Sequence, residues 1–559
     1  MPFTSRIAIR FLSRRSAAVA LGIALTSVCL LTAPTPAGAS TTQIAMIQDG
    51  NQLLANPAGT LQRFRLLGAT TVRVVVFWYD VTKNPGSRRV PAGFNATDPN
   101  AYPKANWAPY DAIVRDAKRD GITVDLTVAG GAPAWADGPG IPPNGIKPHY
   151  AWKPNPKDYG QFVQAVGKRY SGTFKPKGQS SALPAVHFWA LWNEPNFGED
   201  LGPQAINGST VSIAPQMYRG LVNAGWSALA KTGHGRDTIL IGEFAARGVG
   251  PGKPTKHAPQ GYPGNYGQTQ PLQFIRTLYC VNNSFQQLRG SYAAARGCPT
   301  TAAGSRRFRA QNPGLFKASG VGDHPYPGSL PPNQDASTDP DFATFPNLPK
   351  LARTLDRVNS VYGSATHFPI YNDEYGYITH PPASSQWVSP ATAAYYLNWA
   401  EYLSYRNPRI KSYMQYLLYD PPPVKGNGGF ASGLLTSRGV QKPAYAAYRL
   451  PLYLPVTTSR VGSSLEVWGD ARPAHFAQLD TGTPQTAQIE FQPGSTGAFT
   501  NLGTPVNITN AAGYFDVRVK FPGSGTVRLA WTYPKTDPFL PVSALGSTVF
   551  SRLVQVTLR

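Results

Sequence analysis

The residues with the most chemical promise are two glutamates that each close an apolar run: Glu194 in "HFWALWNEPNFGED" and Glu374 in "FPIYNDEYGY". A short run rich in Trp, Phe and Leu reads as a buried strand, and a strand that stops on an acid delivers it to the edge of a sheet. Two carboxylates of unlike protonation suit cleavage of a glycosidic bond. One delivers a proton to the leaving oxygen, and the other captures or stabilises the oxocarbenium-like centre. The nucleophile must stay ionised, which a nearby Arg and a Tyr hydroxyl favour; the acid must hold its proton, which a drier or more negative setting favours. A retaining pair also needs its carboxyl groups about 5 to 5.5 Å apart, against about 6.5 to 9.5 Å for inversion.

Bringing two acids 180 positions apart in the chain to one place requires a scaffold whose strands end together. Candidate strands begin at "IAMIQ" (44–48), "TVRVVVFW" (71–78), "ITVDLTVA" (122–129), "HFWALWN" (187–193), "TILIGEF" (238–244), "KASGVGDH" (317–324), "FPIYNDE" (368–374) and "SYMQYLLY" (412–419). Amphipathic stretches such as "YDAIVRDAKRDG" fall between most of them; "SPATAAYYLNWAEYLSYR" carries Ser389 as a cap and Pro390 at the first helical position. Eight alternations predict an α/β fold, a (β/α)₈ TIM barrel over 40–454. The alternative, an open doubly wound sheet, lacks its usual reason: "IAMIQDGNQLL" carries neither GxGxxG nor GxxxxGK[ST].

In a barrel, residues at the C-terminal ends of strands face the site. The candidates are then Arg73, Trp78 and Asp80 on strand two, Trp135 after strand three, Asn193 and Glu194 on four, and Glu243 on five. Asp323, His324 and Tyr326 end strand six, Asp373 and Glu374 strand seven, and Gln415, Tyr416 and Asp420 strand eight. Trp78 and Trp135 are read as sugar-stacking platforms or core, and Glu243 as a ligand of sugar hydroxyls or of an Arg. Strand alternation points Asp373 opposite to Glu374, which makes it an outward or structural carboxylate.

The set "LWNEPN", "DHPYP" and "YNDEYGY" on strands four, six and seven resembles the retaining glycoside hydrolases of clan A, and the likeness covers the whole barrel region. The "WNEPN" form is similar to family 39 and to some family 5 and arabinofuranosidase-type members. The resemblance implies Glu194 as general acid/base, Glu374 as nucleophile and Asn193 on the sugar hydroxyl beside the anomeric carbon. It implies that Arg73 and Tyr326 hold the nucleophile, with His324 either joining them or serving as scaffold. Strand eight lacks the Trp that many members place under the sugar, so Tyr416 or Tyr419 is the substitute. The implied substrate is a carbohydrate, with pentose-containing glycans preferred, and no cofactor is needed.

The remaining sequence sets the context. Arg6, Arg10, Arg14 and Arg15, an apolar run from Ala17 to Leu31 and "TPAGA" read as a secretion signal over 1–39, too short for a membrane anchor. Its removal takes Cys29 and leaves Cys280 and Cys298, which suit a disulfide in an oxidising compartment. The formal charge of +23 becomes +19 without the four signal arginines; it can mean an anionic polysaccharide or cell envelope as partner, but the cations are scattered, without the aromatic interleaving of a nucleic-acid surface, so solvated surface charge is the preferred reading. Eight His without HxH or HExxH argue against a catalytic metal, and no GxSxG elbow marks a serine hydrolase. From 455 to 559 the texture changes to period-two alternation, as in "YFDVRVKF", which predicts an antiparallel β-sandwich. A reading of another class is a glycan-binding or wall-associated protein on a barrel that no longer catalyses.

Overall fold

The computed structural model describes residues 42–141, 150–205, 209–250, 267–335, 337–423 and 429–559. The expected signal at 1–39 lies outside them. Among the described residues no helix is long and apolar enough to cross a membrane.

Eight parallel strands close a barrel in chain order. They are β1 (Ile44–Gln48), β2 (Thr71–Phe77), β3 (Thr123–Ala129), β4 (Phe188–Leu191), β5 (Thr238–Ala245), β6 (Gly320–His324), β7 (Ile370–Asn372) and β8 (Ile410–Tyr416). Closure is made by β8 on β1, in register from Ile44 opposite Ser412 to Gln48 opposite Tyr416. The β-branched run of β2 and the apolar face of β3 explain their seven paired positions: both pack against helices on one side and the interior on the other. Helices form the outer layer where the sequence offers start signals. Asn155 and Ser389 cap helices Pro156–Arg169 and Pro390–Tyr405, each with Pro at the first position.

Several strand limits differ from the sequence reading. β6 starts at Gly320 because Pro313–Lys317 form one more helical turn. β4 stops at Leu191, since Trp192 takes a positive φ of 77° that breaks the extended run before Asn193. β7 has only three residues, so Asp373 and Glu374 lie beyond it and strand alternation does not govern them.

The C-terminal region builds two sheets. Thr458–Ser459, Val554–Leu558, Gly525–Thr532, Thr486–Pro493 and Thr500–Asn501 run side by side in one, with Val506–Asn507 and Thr548–Phe550 at its margins. Tyr514–Lys520, Ser464–Asp470 and Leu452–Tyr453 form the other. All pairings are antiparallel except that of Thr458–Ser459 with Val554–Leu558. Leu465 and Val467 of one sheet and Ile489, Phe491, Val527 and Leu529 of the other share a core. Asp516, Arg518 and Lys520 are exposed, as period two requires. Trp468 and Trp531 are both buried, so neither is a surface platform for sugar.

The described residues pack as one compact unit. Arg472 joins the three-stranded sheet to the barrel: it donates to Glu401 of helix Pro390–Tyr405 at 2.6 Å, lies 3.3 Å from Asp470, and all three are buried. The Tyr514 hydroxyl adds a bond to Glu401 at 2.8 Å.

Candidate active site

The two glutamates come together at the C-terminal ends of β4 and β7. Glu194, His324 and Glu374 each offer an atom such that all three atoms lie within 4.8 Å of one another. Only the glutamates face solvent, their side chains 18% and 15% exposed, whereas His324 and Arg73 are sealed.

Arg73, rising from β2, is the centre of the arrangement. It donates to Glu374 Oε2 at 3.0 Å, Asn193 Oδ1 at 2.7 Å, Gln48 Oε1 at 2.6 Å, Thr127 Oγ1 at 3.2 Å and Glu243 Oε2 at 2.6 Å. Burial disfavours its charge, but Glu243 and Glu374 outweigh that and hold the guanidinium well above its ordinary pKa. The second oxygen of Glu374 accepts from the Tyr326 hydroxyl at 2.9 Å. Burial, reinforced by the Glu374 charge, pushes the Tyr326 pKa up, so this phenol stays a donor. Glu374 is therefore held by a donor on each of its oxygens.

Glu194 has different company. His324 Nδ1 lies 2.8 Å from Glu194 Oε1 and 3.8 Å from Glu374 Oε2. Burial pulls the His324 pKa down, yet the Glu374 charge and the bond to Glu194 leave it raised overall. Its Nε2 faces Asp373 Oδ1 at 3.6 Å. Glu194 and Glu243 both have positive φ, 37° and 50°, and the Glu194 amide donates to the Glu243 carbonyl at 3.1 Å. Such φ values are strained for non-glycine residues, and that bond ties the end of β4 to β5.

The structure brings together Glu194, Glu374, Asn193, Arg73, His324 and Tyr326, and sets Tyr416 beside Tyr326, ring centroids 6.4 Å apart and near perpendicular. The other candidates take different places. Trp78 is not a platform: it is fully buried, stacked on Phe162 at 5.6 Å, because β2 ends at Phe77 and Trp78 opens a short helix. Trp135 is partly exposed but leans edge-on against Trp78 and Phe94, at 5.7 and 5.9 Å. Of the two partners expected for Glu243, sugar hydroxyls or an Arg, the structure shows the Arg: buried, its carboxylate accepts from Arg73 and Thr127. Asp373 does not face outward; it is buried inside the barrel, where burial raises its pKa well above the usual range. The disulfide joins Cys280 and Cys298.

Sequence reasoning missed four contributors. Gln48 and Thr127 brace Arg73 from β1 and β3. Asp200 accepts from Asn193 Nδ2 at 2.9 Å, with its pKa raised by burial and then by the Glu194 charge. Phe430, 38% exposed, meets Tyr326 and Tyr416 edge-on at 5.3 Å each. The polar Asp125 and Thr127, two apart within apolar "TVDLTVA", were the legible sign of a polar barrel interior.

The cluster of Glu194, His324 and Glu374 also invites a metal reading. The donor set speaks against it: Glu374 already accepts on both oxygens, one bond coming from a guanidinium that would repel a cation.

No protein-family model matches the chain, and no curated protein does. Solved structures similar to it include a family 39 glycoside hydrolase from Bacteroides cellulosilyticus WH2, at 15% identity over 86% of this chain and 80% of that one, with TM-score 0.44. A glucosidase from Croceicoccus marinus aligns at 13% identity over 94% and 95%, with TM-score 0.43. A family 1 β-glucosidase from Thermotoga maritima aligns at 14% over 70% and 85%, with TM-score 0.40. With identities and TM-scores this low, the reading of the site rests on its own geometry.

Proposed function

We propose that this protein is a glycoside hydrolase that cleaves O-glycosidic bonds with retention of configuration. The observation that carries the reading is the approach of the Glu194 and Glu374 carboxylates to within 4.8 Å, with only these two acids of the cluster open to solvent. One oxygen of each carboxylate within that limit favours the closer of the two spacings, about 5 to 5.5 Å for retention against about 6.5 to 9.5 Å for inversion, and so supports direct attack.

Glu374, oriented by Arg73 and Tyr326, attacks the anomeric carbon as the carboxylate. As the glycosidic C–O bond breaks, Glu194 gives its proton to the leaving oxygen. Glu194 then takes a proton from water, whose oxygen attacks the same carbon and releases Glu374. Asn193, held between Arg73 and Asp200, is placed to hydrogen-bond the adjacent sugar hydroxyl. Tyr416 and Phe430 supply apolar walls. The sequence leads us to extend the reading to an exported enzyme acting on pentose-containing oligo- or polysaccharides.

Glu374→Gln and Glu194→Gln should each abolish hydrolysis of aryl arabinosides, xylosides and glucosides, and azide should rescue Glu374→Gly. Undiminished turnover in either Gln variant would overturn the assignment. No turnover by the wild type on a broad glycan panel, with binding retained, would favour the non-catalytic glycan binder instead.

A further inference from the structure

Between Phe244 and Gly322 the sequence holds ten Lys and Arg residues and no Asp or Glu, where the chain's density of 29 acids in 559 residues would place about four. This span connects β5 to β6 and includes helix Pro271–Leu278 and the loop closed by Cys280–Cys298. Facing it, helix Leu348–Val361 sets Lys350, Arg353 and Arg357 three and four residues apart, on one side. The two elements enclose a cavity of about 360 Å³ lined by Arg276, Asn283, Phe285, Lys350, Arg353 and Arg357. A second cavity of about 270 Å³ shares Arg276 and Asn283 and continues past Asn282, Ser284, Tyr292 and Arg296.

The charges in this groove are not balanced. Asp341 takes Arg276 in a two-pronged pair at 2.6 and 2.8 Å. Among the described residues Lys350, Arg353 and Arg357 have no carboxylate partner, and Arg357 rests instead on the Phe285 ring, 3.8 Å from its centroid. Concave placement of three unpaired cations concentrates positive potential, unlike the same charges spread over a convex face. The neighbouring chamber has the amides and hydroxyls that match sugar hydroxyls. Tyr292 at its rim is 56% exposed, with Arg296 stacked 3.6 Å from its centroid.

We propose that this double cavity, built on helices of the barrel's outer layer and sharing no residue with the glutamate site, binds an acidic polysaccharide bearing uronate or sulfate groups. The cations take the anionic groups, while Tyr292 and the amide lining take the sugar rings. A single-stranded nucleic acid would want several exposed rings along a track, and the groove presents one. The inference goes beyond glycoside cleavage and does not depend on it.

The test is affinity electrophoresis and calorimetry of the full chain with polygalacturonate, using neutral arabinan and single-stranded DNA as comparisons, at about 50 and 300 mM salt. Polygalacturonate should bind, more weakly at high salt, and arabinan should not bind this site. Lys350→Glu with Arg353→Glu and Arg357→Glu should weaken binding tenfold or more. The equally charged reversals Arg518→Glu and Lys520→Glu, on the C-terminal sheet, need one more partner, Arg460→Glu, to match the charge change and should weaken it less than twofold. Tyr292→Ala, at constant charge, should weaken it several-fold, and it keeps the test open should the triple variant melt early. Equal losses from both reversal sets, no loss from Tyr292→Ala, or DNA bound as tightly as polygalacturonate would each overturn the proposal. Aryl glycoside turnover, read in parallel, stays at the wild-type level in the groove variants, so loss of binding and loss of catalysis are told apart.

Discussion

In the proposed reaction a single carboxylate, Glu374, acts as nucleophile while two unlike donors hold it, a guanidinium and a phenol. A hydrogen bond to a charged group is worth about 1.5–3 kcal/mol. Tyr326→Phe should therefore lower kcat by roughly ten- to a hundredfold by that measure, with the melting temperature nearly unchanged. Steady-state kinetics beside a thermal melt would decide; an unaltered kcat would mean that the phenol is only packing. At this scale Asn193 and both glutamates were legible because polar residues closing apolar runs are rare and informative, whereas Arg73, third in β2, and Tyr326 were singled out by the family resemblance. Of the two readings of Asp373, outward or structural, the outward one failed because alternation was extended past a strand that ends at Asn372. Asp200 gave no signal, since its partner Asn193 is reached only after the chain folds back through "EPNFGE".

Elements are placed as tightly as side chains. On β6, Gly322 lies under Asp373 and Glu243: a Cβ there would collide with Asp373 Oδ2 and crowd Glu243 Cγ. Gly322→Ala should push Asp373, and with it the neighbouring Glu374, off position. Overpacking of this kind costs about 1–3 kcal/mol, and the melting temperature and kcat should fall together. Wild-type values for both would show that the interior yields. The order and number of barrel strands were readable from alternating apolar and amphipathic segments, as were the capped, proline-led helices. Strand ends were less so, because Trp192, Glu194 and Glu243 adopt left-handed backbone that local propensity does not announce.

The molecule as a whole stores unusual acidity in its barrel. Asp125, Asp323 and Asp373 are all buried, and burial raises each pKa well above the ordinary value. In the unfolded chain they titrate near about 3.9. Between there and their raised values the folded chain binds more protons than the unfolded one, so stability falls as pH rises, by about 1.4 kcal/mol per pH unit for each proton taken up. His324, also raised, adds stability below about 6.5 that fades as pH climbs through its folded value. Asp237 and Asp356 are lowered and lose their contribution only in more acid solution, so they do not oppose this trend. The melting temperature should be higher at pH 5.5 than at pH 8; a flat or rising profile would contradict the buried-acid account. The two-sheet C-terminal region was foreseen from its alternation, but its anchoring through Arg472 was not, since that contact pairs residues 71 apart across different elements.

Arg73 reaches β1, β3 and β5 and the segments just past β4 and β7, so one side chain gauges the girth of the whole cylinder. Changes in how the staves are set, even on the far wall, are transmitted to the spacing of the acids. Loops that make none of these bonds can change without disturbing that gauge.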